Sequence, residues 1–404
     1  MKSKWSILAL LSGAELLGMS LWFTASAVSP ELAEAWDLGP SEAAWLTTVV
    51  QLGFVAGTAF AAALNLADLV PERPYFAASA ALGAAANLGL LAAPGYGSAL
   101  VLRFLTGFFL AGVYPPAMKM VATWFRSGRG LAIGTVVGAL TLGKATPYLV
   151  NAFQGASVPV VVSTASAGAL LAAVLVLVGY RTGPFAFQRK PFSWRLVGTV
   201  LEHRPTRLAI GGYLGHMFEL YAMWAAITLF FHDYFLLRAA SETAASLAGA
   251  AGFSAIAAGA VGAVVAGVWA DRWGRERIAS GAMLLSGACA LTMGWLLHAP
   301  TWVVLPLALV WGFSVVADSA QFSALVTEVA PPHAVGTALT LQTSLGFALT
   351  AFSIWITVTL SARVGWGVAF ALLAVGPALG IAAMARLRRL RSTPALAPGT
   401  VPGG

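Results

Sequence analysis

A glutamate followed by Leu, one variable residue, a small residue and Met occurs twice, at Glu15 in AELLGM (14–19) and at Glu219 in FELYAM (218–223). Both sit deep in apolar runs. A charge at mid-bilayer costs about 2.5–3.5 kcal/mol on the more lenient insertion scale, so such a residue must face water, protein or solute. His216 precedes Glu219 by three residues, a spacing that puts two side chains on one helix face and lets them share a proton. Asp318 and Gln321 repeat that spacing in ADSAQFS, and Arg103 and Lys144 are cations in comparable runs. This is chemistry for moving protons or charged solutes. The five histidines (His203, His216, His232, His298, His333) lack ligand spacing, and the single Cys289 has no partner. No Gly-rich phosphate loop or nucleophile elbow occurs, so no enzyme, metal site or cofactor is expected.

The elements that must hold these residues are membrane helices. The chain of 404 residues is 59% hydrophobic and 9% charged. Its mean hydropathy is +0.83, whereas soluble domains run near ~25% charged. About 20 apolar residues cross a bilayer. That window predicts twelve helices, at 5–28, 43–65, 75–93, 97–120, 129–152, 159–180, 208–231, 244–270, 277–297, 302–325, 335–361 and 364–387. The first run is too long for a signal-peptide core and reads as a retained helix. The expected organisation is an N-terminal six-helix bundle (1–182), a basic cytoplasmic linker (183–207), a C-terminal six-helix bundle (208–390) and a disordered cytoplasmic tail (391–404).

Cytoplasmic loops retain Lys and Arg. With the N-terminus inside, that side collects nearly all of them, from Lys2 and Lys4 through Arg189 and Lys190 to Arg391, leaving Arg238 and Arg363 outside. The reading is a multi-pass protein of a cytoplasmic (inner) membrane with both termini cytoplasmic. A basic inner face against anionic lipid accounts for the net charge of +8 without nucleic acid.

An internal duplication gives one offset everywhere. Glu15 and Glu219 differ by 219 − 15 = 204, Asp68 and Asp271 by 271 − 68 = 203, Gly107 and Gly312 by 312 − 107 = 205, and Gly130 and Gly336 by 336 − 130 = 206. Six helices per copy give both halves the same topology, so they form parallel pseudo-symmetric repeats. At 1.5 Å per residue, Glu15 and Glu219 lie about 15–17 Å into their helices, near mid-membrane. The expectation is that they face each other across the pseudo-twofold axis.

The segment GVWADRWGRERIASG (267–281) resembles the signature loop of the major facilitator superfamily through Gly267, Asp271, Arg272, Gly274, Arg275 and Arg277. The first-half counterpart, LNLADLVPERPY, keeps Asp68 and Arg73 but has Leu64, Leu69, Pro71 and Glu72 at the other positions, which implies a weaker latch there. LRFLTGFFLAG is similar to the fourth-helix motif of that superfamily through Arg103 and Gly107. With the twelve-helix plan, the resemblance covers essentially the whole chain and is to the bacterial type. It implies an all-α integral membrane fold of two six-helix bundles. It also implies secondary active transport by alternating access, helices one, four, seven and ten around a central cavity, and a closed gate in which Asp271 meets the start of helix five. Lys144 stands where the antiporter motif of the superfamily places proline, which argues against drug/proton antiport.

For each residue a second reading stands beside the functional one. Glu219 with His216 forms a protonation switch, or Glu219 caps a network with Trp224 or Tyr221. Glu15 is the N-terminal counterpart in either role. Asp318 and Gln321 handle solute or protons, or help pack helices through Ser319 and Ser323. Arg103 takes part in proton coupling, as the resemblance implies, or pairs with a carboxylate or carbonyl. Lys144 attracts an anionic group, or snorkels or ion-pairs. Gly130, Gly134, Gly138, Gly252 and Gly259 are packing surfaces, and Trp22, Phe23, Tyr221 and Trp224 are apolar wall or core. The function expected is proton-coupled transport of a small polar or organic-anion solute by a monomer in the lipid bilayer. The alternatives are a proton-antiport exporter of amphiphilic compounds and a non-transporting sensor or assembly protein.

Overall fold

The computed structural model of the chain describes residues 3–64, 66–125, 128–154, 157–185 and 193–392. Part of the linker, including Arg189 and Lys190, and the tail 393–404 lie outside the described residues, as does the side chain of Asp68. Eleven helical spans among the described residues are long and apolar enough to cross a membrane. They are α2 (Pro40–Ala63), α3 (Glu72–Ala92), α4 (Tyr96–Ala122), α5 (Gly130–Ala152), α6 (Val158–Gly179), α7 (Arg204–Leu236), α8 (Thr243–Trp273), α9 (Arg275–Leu296), α10 (Thr301–Val329), α11 (Val335–Val364) and α12 (Trp366–Arg391). The twelfth, α1, runs Lys4–Met19, is interrupted over residues 20–23 and resumes at Thr24–Ala27. Exposed Trp5, Trp194, Trp269 and Trp273 lie toward the face carrying both chain ends, and Trp295 and Trp302 toward the opposite face, as interfacial anchors do.

The break in α1 corrects the expectation of one helix over 5–28, and hydroxyl chemistry accounts for it. Ser20 Oγ donates to Leu17 O at 2.7 Å, and Thr24 Oγ1 reaches Ser20 O at 3.2 Å and Leu21 O at 3.1 Å. Side chains that bond to carbonyls one turn back compete with the helix ladder. Three other helices are jointed, α12 among them at Ala374, between Leu373 and Val375. The regular helix of α4 pauses between Leu110 and Tyr114, and that of α10 between Ala317 and Ser319. At Gly274 (φ 88°) the chain leaves α8 and enters α9 in one residue, a left-handed conformation that glycine adopts without strain.

The duplication is visible in how helices touch. A Cβ at Gly107 would run into the Val50 carbonyl, and one at Gly312 into that of Ala255. A Cβ at Gly57 would meet Phe108 O, and one at Gly262 would meet Phe313 O. Every member of the first set maps onto the second by 205 (312 − 107, 255 − 50, 262 − 57, 313 − 108). The α2–α4 and α8–α10 crossings are therefore one crossing made twice, close enough to exclude any side chain.

Between the halves, Gly130, Gly134 and Gly138 of α5 press on α8. Added Cβ atoms there would lie 3.0 Å from Gly267 O, 2.9 Å from Ala263 O and 3.0 Å from Ala260 O. Gly252 of α8 abuts Thr228 of α7, and Gly259 abuts α10 at Val316 and Gly312. Toward the opposite face the seam continues through Ser246 Oγ, which donates to Ala152 O at 2.9 Å. The second seam, α2 on α11, is held by the Phe54 and Phe347 rings, 4.3 Å apart, and by Trp355 Nε1 donating to Ser41 Oγ at 3.0 Å.

Candidate functional site

A cavity of about 60 Å³ lies between the halves. From the N-terminal half its wall takes Tyr114 of α4 and Thr141 and Lys144 of α5. From the C-terminal half come Tyr213, Met217, Tyr221 and Trp224 of α7, Ser319 and Ser323 of α10, and Thr343 and Phe347 of α11. Among the described lining residues Lys144 is the single charged one, and the other polar groups are hydroxyls and the Trp224 indole. The Lys144 ammonium donates to the Tyr221 hydroxyl oxygen. It also lies 4.0 Å from the centre of the Trp22 ring, 4.4 Å from Tyr221 and 5.4 Å from Trp224. Aromatic faces attract a cation by their quadrupole. Lys144 is 1% exposed, so the snorkelling alternative does not hold.

The broken segment of α1 builds this cage by carrying Trp22 inward, and Arg103 fixes the break. Its guanidinium donates to Leu21 O at 3.1 Å, Trp22 O at 2.5 Å and Asn87 Oδ1 at 2.9 Å. Asn87 Nδ2 continues the chain to Ser166 Oγ at 2.9 Å. Arg103 thus supplies donors to carbonyls that the interrupted helix leaves free. Of its two possible partners the structure shows carbonyls, with no carboxylate among the described residues within 4.0 Å.

The two glutamates do not face each other. Glu219 accepts from Ser286 Oγ of α9 and Trp311 Nε1 of α10, each at 2.7 Å, so both its oxygens are spent inside its own half. Those donors are not the Trp224 and Tyr221 expected from sequence. Glu15 is fully buried, and neither of its oxygens has a hydrogen-bond partner. It lies within electrostatic reach of Lys144 and Tyr114.

His216 does not pair with Glu219 either. Its Nδ1 is 2.7 Å from Asp318 Oδ1 at the joint of α10, and its Nε2 is 2.9 Å from Ser319 Oγ on the cavity wall. Three residues of helix rotate a side chain by about 300°, leaving His216 and Glu219 about 60° apart and directed at different neighbours. Asp318 and Gln321 are separated in the same way: Gln321 Oε1 accepts from Arg275 Nη1 at 3.1 Å, away from the cavity wall. Ser323 Oγ accepts from Gln342 Nε2 at 3.2 Å and keeps its own proton to donate.

The loop between α8 and α9 gathers charges within the C-terminal half. Arg275 meets Glu328 at 2.8 Å and Asp271 at 3.5 Å, while Arg391 meets Glu276 at 2.6 Å and Glu328 at 3.3 Å. Asp271 also reaches the other half, since a Cβ on Gly130 would lie 2.8 Å from its Oδ2, and Gly267 packs on the same turn of α5. Arg272 is exposed. In the N-terminal half Lys119 meets Glu72 at 3.2 Å, and Arg73 donates to Leu177 O at the end of α6.

Sequence reasoning took Trp22, Tyr221 and Trp224 for wall or core and gave Ser319 a packing role. It passed over Tyr114 and Tyr213. The one available signal was that Ser319 directly follows Asp318 in a span where consecutive polar residues are scarce.

Two like six-helix halves around a small central cavity, walled by Lys144 and a ring of hydroxyls, make up a multi-pass membrane protein. A family model described as Major Facilitator Superfamily matches residues 10–238 and 209–403, and the chain belongs to that superfamily, whose members are transporters rather than enzymes. A comparison with curated proteins finds no match.

Proposed function

We propose that the chain carries a small organic or inorganic monoanion across the inner membrane by alternating access, coupled to protons, with both termini cytoplasmic. The observation that carries this reading is the cavity wall, where Lys144 is the charged group and hydroxyls of Tyr221, Ser323, Tyr114, Tyr213 and Thr343 surround it. Tyr221 and Ser323 accept hydrogen bonds through their oxygens and so retain O–H donors, and a cation ringed by such donors suits an anion. A cavity of about 60 Å³ favours a compact solute. Glu15, His216 and Asp318 are the titratable groups around it, and proton coupling rests on them. The two seams, engaged near both faces, support an occluded state in which solute would be enclosed, with Asp271, Arg275 and Gly267 at the cytoplasmic gate.

The test is thermal unfolding of purified protein with nitrate, formate, acetate, benzoate and an amphiphilic cation, in wild type and in Lys144→Gln. A ligand of the folded state at one hundred times its Kd raises stability by about 2.7 kcal/mol. The expected result is an upward shift in Tm with at least one anion, lost in Lys144→Gln. A shift with the cation alone would replace this reading by amphiphile export, which the aromatic cage favours and the Lys144 ammonium opposes. Silence across the panel would favour the non-transporting reading.

A further inference from the structure

His216 Nε2 is hydrogen-bonded to a hydroxyl on the cavity wall, and its Nδ1 lies 2.7 Å from a buried carboxylate oxygen, a close contact outside hydrogen-bond geometry. Two lone pairs would repel at 2.7 Å, so neutral His216 carries its proton on Nδ1 facing the Asp318 carboxylate, and Nε2 accepts the proton of Ser319. In that state the Ser319 hydroxyl is turned toward the imidazole and offers the cavity only an oxygen. Once His216 takes up a second proton, Nε2–H becomes the donor to Ser319 Oγ, and the Ser319 O–H is released.

We infer that Ser319 is the coupling residue of this transporter: protonation of His216 converts its hydroxyl from a donor to the imidazole into a donor to an anion held beside Lys144. The inference rests on the anion reading of the cavity and adds to it the route by which a proton bound outside the cavity wall is sensed within. No atom of the solute touches His216. By linkage the effect is reciprocal, so an anion in the cavity favours the protonated imidazole by the same factor. Proton and monoanion then bind together, as one positive and one negative charge.

The groups facing His216 leave this relay as its one direct charged contact. On α7 itself are Tyr213, with ring centres 6.1 Å apart, and Glu219, whose oxygens are held by Ser286 and Trp311. From α10 come Asp318, Ser319 and the Phe322 ring at 5.5 Å, and Glu219 acts on Asp318 at longer range. α12 approaches α7 through Gly376 and Gly380 against Gly215, without charge. Across the cavity stand Lys144 of α5 and Tyr114 of α4. Asp318 closes the first segment of α10 and Ser319 opens the second, so the joint places two consecutive side chains on the two nitrogens of one ring.

The experiment uses the full chain in lipid nanodiscs with formate as probe, reading tryptophan emission, since Trp22 and Trp224 flank Lys144. Wild type is expected to bind formate roughly tenfold more tightly at about pH 5.5 than at about pH 8. Ser319→Ala should bind at the weak, high-pH level at both values, and Ser319→Thr, which restores a hydroxyl, should recover the slope. Ser319→Ala with the full wild-type slope would overturn the inference. If wild type binds no formate at either pH, the anion reading for this probe fails, and the relay is read separately by nitrogen NMR of histidine-labelled protein. Neutral His216 protonated on Nδ1, with an Nε2 resonance that moves in Ser319→Ala, supports the relay. A proton on Nε2, or a resonance indifferent to the substitution, overturns it.

Discussion

α1 and α7 are copies of one helix, yet the first is broken and the second runs unbroken from Arg204 to Leu236. The offset of 204 sets Ser20, Leu21 and Trp22 of α1 against Trp224, Ala225 and Ala226 of α7. α1 has a hydroxyl that competes for carbonyls where α7 has an indole. The helix behind each copy differs in step, because Arg103 of α4 maps by 205 onto Ala308 of α10. A guanidinium stands where carbonyls were released, and a methyl stands where none were. The comparison teaches that a duplicated scaffold can keep its helix crossings while one copy gives up helical regularity to aim an aromatic ring at the centre.

The sharpest way to break this comparison is to remove the clamp. Arg103→Ala leaves the Trp22 carbonyl and the Asn87 amide oxygen without donors in an apolar interior, and Leu21 O with Thr24 Oγ1 alone, at about 1–3 kcal/mol for each buried group. A total loss of about 3–5 kcal/mol is therefore expected, read as a fall in Tm of the purified protein together with altered emission from Trp22. If Arg103→Ala unfolds at the wild-type temperature, the guanidinium does not hold the break.

The two glutamates give the next largest effect, and it should be unequal. Glu219→Ala strands the Trp311 indole and leaves the Ser286 hydroxyl to Met283 O alone, for a loss of about 1–3 kcal/mol. Glu15→Ala strands no donor and should cost under about 1 kcal/mol, because neither Glu15 oxygen accepts a hydrogen bond. Equal losses in paired denaturation curves would show that the copies have not diverged as described.

The smallest effect lies just beyond the end of α1. Glu31, on the short helix Ser29–Trp36, is half-buried, and that burial pushes its carboxyl above the ordinary value of 4.5. Its equivalent by the offset of 204 is Phe235, within continuous α7. A carboxyl with a raised folded pKa binds protons more tightly in the folded state, so its contribution is present below 4.5 and lost as pH rises through the shifted range. Glu31→Gln should flatten that fall in stability, measured as Tm against pH, and an unchanged profile would count against the burial.

Much of the architecture was legible because hydropathy and repetition act along the chain. The spans and the offset near 204 need only residue order. The site was less legible because it depends on rotation about helix axes and on neighbours far away in sequence. Glu15 and Glu219 were correctly matched as repeat positions, but matched depth does not give matched partners, and Ser286 and Trp311 carry no mark that they would turn toward Glu219. His216 and Glu219 share a face by spacing, yet 60° of rotation separates their neighbours. Lys144 stood out as a buried cation from its apolar surroundings, whereas the rings around it looked like ordinary core. The break at Ser20 was hidden because the guanidinium that donates to its freed carbonyls belongs to a helix some eighty residues later.

The α5–α8 seam has a mechanical meaning. Where Gly130, Gly134 and Gly138 meet α8, two smooth cylinders touch along their backbones without interlocking teeth. Such a joint works as a bearing. One half can roll on the other without lifting side chains over one another, so little friction opposes the motion and no ratchet fixes its direction. The tilt of the machine is then left to the charges at its rim and to whatever occupies its centre.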